Sequence, residues 1–151
     1  QSDGTGSKAE SGDFSAYAFD IFSERVLSNG GVFTFEGGYK EIDADFTPVS
    51  PPPTSDDKCF CLFDGNSHYA TAGYLFQEAV GPGKFQPYLR YTKNNPSDAN
   101  SSDSMEWGLN YVIVNNKASI NLNYVSGDTN ASGYAGNDTD TVTLGILLQF
   151  Y

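Results

Sequence analysis

Residues 106–124, EWGLNYVIVNNKASINLNY, alternate apolar and polar side chains in two runs on either side of Asn115 and Asn116. A helix would repeat its apolar residues every three to four positions, whereas a period of two is typical of β-strands with two different faces. Alternate positions of a strand point to the same side, and we call each such set of positions a parity. The apolar parity comprises Trp107, Leu109, Tyr111, Ile113, Ala118, Ile120, Leu122 and Tyr124. The segment therefore predicts a β-hairpin with a turn of about two residues at Asn115-Asn116.

The polar parity of this hairpin indicates the class of sheet. A soluble sandwich exposes charged side chains such as Lys and Glu on its outer face. A transmembrane β-barrel turns apolar residues to lipid and polar residues to a wet lumen. The polar parity here is mostly Gly, Asn and Ser, which favours the barrel. An aromatic content of 15% in a chain of mean hydropathy −0.41 fits a lipid band diluted by lumen and loops. We predict an all-β, antiparallel transmembrane barrel.

Charge and cysteine content limit the possible partners. The chain has 151 residues, enough for one domain, and its net charge of −11 argues against nucleic acid as a partner. Cys59 and Cys61 are two residues apart, so a bond between them would close a strained ring, and we interpret them as loop thiols. The chain does not open with a signal peptide, so Gln1 is interpreted as a processed start or an internal cut.

Turn signals divide the single domain into about seven strands. We interpret the chain as an outer loop at 1–12, a hairpin at 13–43, a long outer loop with three consecutive prolines at 44–66, and five further strands in 67–151. Within the hairpin, Ser28-Asn29-Gly30 is predicted to form a tight turn of the Asn-Gly type. Polar loops are also predicted at 94–103 and 127–138. Long and short connections then alternate, as expected for long extracellular loops and short periplasmic turns. Seven strands leave two unpaired edges, so we expect the C-terminal portion of a larger barrel, completed by missing sequence or by other chains.

Four motifs, in this order, resemble the C-terminal strands of bacterial outer-membrane porins: YATAGYLF, KFQPYLRYT, EWGLNYVIVNNKASINLNYV and TVTLGILLQFY. Together with SNGGVFTFEGGYKEID they are similar to the phosphate-selective porin O and P group over residues 14–151. The resemblance implies a wide barrel, usually a homotrimer, integral to the outer membrane and passing small hydrophilic solutes or anions. It also implies recognition of the C-terminal strand by the barrel-insertion machinery. Outer-membrane lipid is the expected environment, and the acidic outer loops are expected to share cations with anionic lipopolysaccharide. Unlike that family, this chain carries Tyr151 after Phe150 and has few basic residues.

Strand parity sorts the candidate site residues into two sets. The polar parity is expected to line a pore and comprises Asp20, Glu24, Glu36, Lys40, Arg90, Glu106, Asn110, Lys117, Asn121 and Asn123. The aromatic residues expected to face lipid and form a girdle are Tyr74, Tyr91, Trp107, Tyr111, Tyr124 and Phe150. Leu109, Leu122, Leu144 and Ile146 share the lipid-facing parity. Acidic residues slightly outnumber basic ones on the polar parity, which predicts at most weak anion selectivity.

We expect neither an enzyme nor a bound cofactor. His68 is the only histidine and is predicted at a loop-to-strand edge, without a nucleophile or zinc-spaced ligands beside it. Asp128, Asn130 and Ser132 place oxygen atoms at alternate positions, as at the start of a calcium loop. Thr139 stands where the closing Glu would be, so an ordinary surface loop is the preferred interpretation.

The function expected from these patterns is a passive porin, in which pore size and lumen charges select the solutes. Two alternatives remain open. One is an outer-membrane barrel that acts as a scaffold or adhesin through its outer loops, such as 44–66. The other is a soluble β-sandwich that serves as a binding module, for example for carbohydrate. Dependence on detergent separates the sandwich from the barrels, and conductance separates the porin from the adhesin.

Overall fold

A computed structural model describes residues 14–44, 64–97, 99–114, 117–130 and 133–149. These ranges form one antiparallel sheet of seven strands, and each strand pairs with the next along the chain. The strands are β1 (Phe14–Val26), β2 (Val32–Ala44), β3 (Gly65–Leu75), β4 (Lys84–Pro96), β5 (Ser102–Val114), β6 (Ala118–Thr129) and β7 (Ala135–Leu148). The predicted all-β class, antiparallel pairing and strand number are confirmed. The described ranges contain no helix long and apolar enough to cross a membrane.

The sheet is open. Strands β1 and β7 lie at its two edges, and within the described residues neither has a strand on its outer side. The strands contain between 11 and 14 residues. About 9–11 residues suffice for a tilted strand to cross a bilayer, so each of these strands is long enough to do so.

The pairing register defines two faces of the sheet, because directly opposed residues of an antiparallel pair point to the same side. Trp107 on β5 is opposite Leu89 on β4 and Tyr124 on β6. We call the face that carries these three residues the apolar face. The adjacent residues Arg90 and Glu106 are opposite each other on the other side, which we call the polar face.

The described residues form a single layer with almost no core of their own. Ile42, which is 7% exposed, is the only buried hydrophobic side chain among them. On the apolar face Leu144 and Ile146 remain 67% and 69% exposed, and Trp107 is 58% exposed. The buried polar residues Ser67, Asn94 and Ser102 all lie on the polar face. The polar face is therefore the more enclosed one, and the apolar face is left uncovered.

The two polar loops predicted at 94–103 and 127–138 are shorter than predicted, because strand residues make up half or more of each range. Strand β4 continues to Pro96 and β5 begins at Ser102, so 94–103 reduces to the connection 97–101. Strand β6 continues to Thr129 and β7 begins at Ala135, so 127–138 reduces to 130–134. The predicted alternation of long and short connections is wrong at these two places. Polar residues there pair across the sheet, and backbone pairing outweighs their preference for loops. Most of the predicted loop 44–66 lies outside the described residues, as do 1–12, Cys59 and Cys61.

The hairpin turns follow the prediction at one place and depart from it at another. The turn at Ser28-Asn29-Gly30 is present: the N–H of Gly30 donates to Leu27 O over 2.8 Å, and Gly30 has a φ of 76°. A residue without a Cβ adopts that φ at no steric cost. In the hairpin of β5 and β6 the register shifts between Val112 and Val114. Ile113 is thus the extra residue of a β-bulge and does not continue the apolar parity.

A buried chain of polar side chains joins three strands at the end of the sheet opposite the Asn29 turn. Ser67 Oγ donates to Asn94 Oδ1 over 2.6 Å, and Asn94 Nδ2 donates to Ser102 Oγ over 3.2 Å. Ser102 Oγ in turn donates to Gly133 O over 2.8 Å. Asn94 and Ser102 are 5% and 0% exposed. These bonds explain why Asn and Ser extend the strands here instead of ending them.

Replacing Asn94 by alanine is expected to lower the free energy of unfolding by about 1–3 kcal/mol, because the buried Ser67 hydroxyl group loses its acceptor and the Ser102 hydroxyl group loses a donor while keeping its bond to Gly133 O. Reversible urea unfolding in lipid vesicles, followed by Trp107 fluorescence, measures this change. The matched control is Asn95→Ala, which removes a single bond of 2.8 Å to Asn66 on the other face. Equal effects of the two substitutions would contradict the role assigned to the buried chain.

Candidate functional site

The register separates the two predicted sets of site residues. The candidates for pore lining that lie in strands share the polar face: Asp20, Glu24, Glu36, Lys40, Arg90, Glu106, Asn110, Asn121 and Asn123. Lys117 lies in the connection before β6. The aromatic candidates Tyr74, Tyr91, Trp107, Tyr111 and Tyr124 share the apolar face. Phe150 lies outside the described residues. That one face lines a pore and the other meets lipid stays a prediction.

One row of the polar face brings opposite charges together on four neighbouring strands. Glu36 on β2 is opposite Thr71 on β3, Thr71 is opposite Arg90 on β4, and Arg90 is opposite Glu106 on β5. A single cation thus stands between two carboxylates. Neighbouring strands are about 4.8 Å apart, so the row from Glu36 to Glu106 spans roughly 14 Å.

Tyr69 contacts both Glu36 on β2 and Arg90 on β4. Its hydroxyl group donates to Glu36 Oε1 over 2.7 Å. The guanidinium carbon of Arg90 lies 4.5 Å from the centre of the Tyr69 ring. A cation over a ring face gains about 0.5–1 kcal/mol at exposed sites. Tyr69 therefore positions a carboxylate and a guanidinium group at the same time.

Tyr88 and two asparagines orient the carboxylate of Glu106. The Tyr88 hydroxyl group donates to Glu106 Oε1 over 2.5 Å, and Asn123 Nδ2 donates to the same oxygen over 2.8 Å. Asn121 Nδ2 donates to the Tyr88 hydroxyl oxygen over 3.3 Å and to Asn110 Oδ1 over 2.7 Å. Hydrogen bonds to a charged group are worth more than neutral ones. Glu106 is thus fixed from β4 and from β6.

An amide row continues this network towards the turn end of the sheet. Asn110 Nδ2 donates to Gln86 Oε1 over 3.1 Å, and Asn110 Oδ1 accepts the bond from Asn121. Each side-chain amide offers both donors and an acceptor. The polar face therefore presents oriented donors and acceptors on β4, β5 and β6.

Glycine makes room for the two tyrosines of the polar face. Tyr88 is directly opposite Gly108, and a Cβ built on Gly108 would fall within the Tyr88 ring. Tyr69 is likewise opposite Gly38, where a Cβ would meet the Tyr69 ring at 2.5 Å. Each ring thus lies across the neighbouring strand in the space of a missing side chain.

These residues surround an open cleft of about 310 Å³ on the polar face. Its walls are Thr34, Glu36, Thr71, Gly73, Gln86, Tyr88, Arg90, Glu106 and Asn110. No group of three His, Cys, Asp or Glu side chains in the described ranges is placed to hold a metal ion. His68 lies within β3 on the apolar face, opposite Tyr39 and Lys93, and not at a strand edge. The cleft is suited to non-covalent binding through hydrogen bonds and one aromatic ring.

Several residues of this site were not among those predicted from strand parity. Tyr69, Tyr88, Gln86 and Thr71 lie on the polar face beside the predicted candidates. The sequence feature that could have identified Tyr69 and Tyr88 is a tyrosine on the polar parity that lies opposite a glycine. Its use requires the register between strands, which the sequence alone does not supply.

The oxygen-rich segment that begins at the end of β6 makes hydrogen bonds to β5 and within the connection to β7. Asp128 Oδ1 accepts from the N–H of Asp103 over 2.8 Å, and Asn130 Oδ1 accepts from the N–H of Tyr134 over 3.1 Å. Ser132 lies outside the described residues. Asp128 is thus part of β6 and not of the connection, and the preference for an ordinary loop over a calcium site stays a prediction.

Tyrosines on the apolar face bind polar groups near both ends of the sheet. Towards the 97–101 end, Tyr124 donates to Asp140 Oδ1 over 2.8 Å, and Tyr17 and Tyr39 both donate to Glu41 Oε2. Towards the turn end, Tyr111 donates to Val80 O over 2.5 Å, and Tyr74 accepts from Asn29 Nδ2 over 2.8 Å. The row formed by Leu109, Leu122 and Leu144 lies between Tyr124 at one end and Tyr111 at the other.

The sequence matches no protein-family model, and comparisons with curated proteins and with solved structures found no similar protein.

Proposed function

We propose that the sheet is part of the wall of a water-filled channel in a bacterial outer membrane, passing small hydrophilic solutes by diffusion. One observation carries this proposal: a one-layer sheet has an uncovered apolar face, and its opposite face is a hydrogen-bonded polar network. A transmembrane barrel has this arrangement, with apolar residues towards lipid and polar residues towards the lumen.

The exposed aliphatic side chains support a lipid environment. The run from Val142 to Leu148 places four large residues on the apolar face, all more than half exposed. At about 3.4 Å per residue it extends about 20 Å, close to the apolar band of about 25 Å in outer-membrane barrels. Soluble proteins rarely leave so large a patch open. Tyrosines at both ends of the face resemble the aromatic belts of membrane interfaces.

The alternative of a soluble sandwich has less support. A sandwich packs a second sheet against the apolar face of the first, and the described residues place all seven strands in one sheet. The adhesin alternative would share the barrel and differ only in its outer loops. The polar network and the open cleft favour a conducting lumen over a solid interior.

The remaining wall of the channel requires further strands. Unpaired backbone groups at the outer edges of β1 and β7 would be very unfavourable in lipid. We infer that strands from elsewhere in the protein or from other chains pair with these edges. A trimer of complete barrels is the assembly that we propose for the whole protein.

Trp107 provides a direct test because it is the only tryptophan and lies exposed on the apolar face. In lipid vesicles its fluorescence is expected to be quenched by brominated acyl chains and hardly by aqueous iodide. Planar bilayers containing the protein are expected to show stepwise potassium chloride conductance. Quenching by iodide alone would overturn the membrane orientation. Lipid quenching without conductance would leave a membrane barrel that is not a channel.

The channel is expected to prefer potassium over chloride weakly. Acidic side chains slightly outnumber basic ones on the polar face: Asp20, Glu24, Glu36 and Glu106 against Lys40, Lys84 and Arg90. A narrow cleft with one sign of charge concentrates the opposite ion. Screening acts over about 10 Å at 0.1 M salt and about 3 Å at 1 M, so the preference should fade in concentrated salt.

Glu24→Gln tests this selectivity. The reversal potential under a potassium chloride gradient is expected to shift towards that of chloride, because a carboxylate on the polar face is removed. The control is Glu41→Gln, which removes a carboxylate from the apolar face and should leave the reversal potential unchanged. A strong chloride preference in the unsubstituted protein, blocked by phosphate, would contradict the expectation and favour the phosphate-selective role.

A further inference from the structure

The cleft on the polar face is poorly suited to a phosphate or another small anion. Its single cation, Arg90, has the carboxylates of Glu36 and Glu106 in the same row, and its guanidinium group lies over the Tyr69 ring. An anion at Arg90 would therefore have one carboxylate on the neighbouring strand, roughly 5 Å away, and a second carboxylate two strands away, at roughly 10 Å. Like charges at such distances are repulsive even in a high dielectric.

The lining other than Arg90 offers hydrogen-bonding partners for hydroxyl groups. Gln86 and Asn110 offer amide donors and acceptors, Thr34 and Thr71 add hydroxyl groups, and the carboxylates of Glu36 and Glu106 accept hydrogen bonds. A solute hydroxyl group is both a donor and an acceptor. A molecule with many hydroxyl groups can thus satisfy such a lining from several strands at once.

Hydrogen bonds within the protein already orient two of these lining groups before a solute enters. Glu106 is held by Tyr88 and Asn123, and Asn110 is held between Gln86 and Asn121. Preorganised polar groups lose little conformational entropy on binding. The Oγ1 atom of Thr71 is buried beside this row and has no hydrogen-bond partner among the described residues.

Tyr88 adds an aromatic surface to the cleft. Its ring leaves β4, crosses Gly108 on β5 and ends at a hydroxyl group that also contacts Asn121 on β6. The ring therefore runs along the sheet instead of standing away from it. An aromatic ring lying along a polar wall can pack against the C–H groups of a sugar ring while its neighbours bond the hydroxyl groups. The cleft volume of about 310 Å³ lies at the lower end of the range for small-molecule sites.

We propose that this cleft is a binding subsite for neutral polyhydroxylated solutes, that is, short sugars, with Tyr88 as the stacking surface and the Glu36–Arg90–Glu106 row and its amides as hydrogen-bonding partners. The inference deepens the proposed channel function and rests on it for transport. The binding itself depends only on the polar face.

The test uses the full protein, with maltotriose as the probe and inorganic phosphate as the comparison. Potassium chloride conductance in planar bilayers is recorded first, followed by its block as maltotriose is added. Binding of maltotriose to the detergent-solubilised protein is measured separately by calorimetry. Tyr88→Leu removes the ring, and Tyr124→Leu removes a tyrosine of the apolar face as the matched control.

Maltotriose is expected to block the conductance in a saturable way, and Tyr88→Leu should raise the half-blocking concentration about tenfold, as for the loss of one aromatic contact. Tyr124→Leu should leave that concentration unchanged. If Tyr88→Leu does not fold, Gln86→Leu, which removes one amide of the lining, should also weaken the block. Conductance with no sugar block, with a block insensitive to both cleft variants, or with stronger block by phosphate would overturn the sugar site and leave the channel. Sugar binding lost in Tyr88→Leu, in a protein that never conducts, would overturn the channel and keep the site.

Discussion

Replacing Leu144 by arginine is expected to lower the free energy of unfolding, measured in lipid vesicles, by about 2–4 kcal/mol. This is the cost of placing a cation on the lipid face of a barrel near the bilayer midplane. Leu144 lies in the middle of the aliphatic run of β7 and is 67% exposed on the apolar face. In the proposed membrane orientation, a guanidinium group at this exposed position would therefore meet lipid directly. Urea unfolding of the protein in vesicles, followed by Trp107 fluorescence, gives the difference.

Thr143→Arg is the matched control for this experiment. Thr143 is adjacent in sequence but is opposite Asn123 on the polar face, where water should solvate the new charge. The expected change is a few tenths of a kcal/mol, as for most surface substitutions. Equal and large effects at the two positions would show that both faces are buried in an apolar environment. Equal and small effects would show that the apolar face meets water, and would favour a soluble protein.

The second large effect is expected at Gly108. A valine there would occupy the space of the Tyr88 ring and would force Tyr88 away from Glu106. Overpacking of this kind typically destabilises by about 1–3 kcal/mol, and the loss of the bond from Tyr88 to Glu106 adds to it. Gly108→Val should also weaken the proposed sugar block, because the ring is displaced from the cleft.

Gly145→Val provides the contrast, since a Cβ at Gly145 meets only Asn121 Cβ at 3.8 Å, which is ordinary contact. Gly145 lies on the same polar face, so the two substitutions differ mainly in the ring above the glycine. Adding Tyr88→Ala to Gly108→Val should remove most of the penalty, with an interaction energy of at least about 1 kcal/mol. Additive effects of the two substitutions would contradict the packing of the Tyr88 ring on Gly108.

These predictions concern a sheet whose stability does not come from a core within the described chain. The polar face is joined by side-chain bonds that cross strand boundaries, such as those of Glu106 and Asn94. A buried polar group that loses its partner costs about 1–3 kcal/mol, so these bonds contribute to the stability of the sheet. The site and the support of the fold are therefore made from the same residues.

The sequence by itself determined the two faces and the approximate strands. Alternation such as Trp107, Leu109 and Tyr111 against Glu106, Gly108 and Asn110 has only one interpretation once the strand period of two is recognised. Because each strand is paired only with its neighbours in sequence, the strand order followed from the order of the motifs. The Asn29-Gly30 turn was predictable because its dihedral angles demand those residue types.

Only the tertiary structure decided where the strands end and which polar residues meet. Asn94 and Ser102 looked like loop residues because their side chains compete with backbone pairing in an isolated segment, and their partners lie on other strands. Ile113 left the apolar parity because a single inserted residue shifts the register. The pairing of Tyr88 with Gly108, and of Arg90 with Glu106, depends on that register. A shift of one residue would turn every side chain of a strand to the other face, so the cleft exists only because six strand pairings are set together.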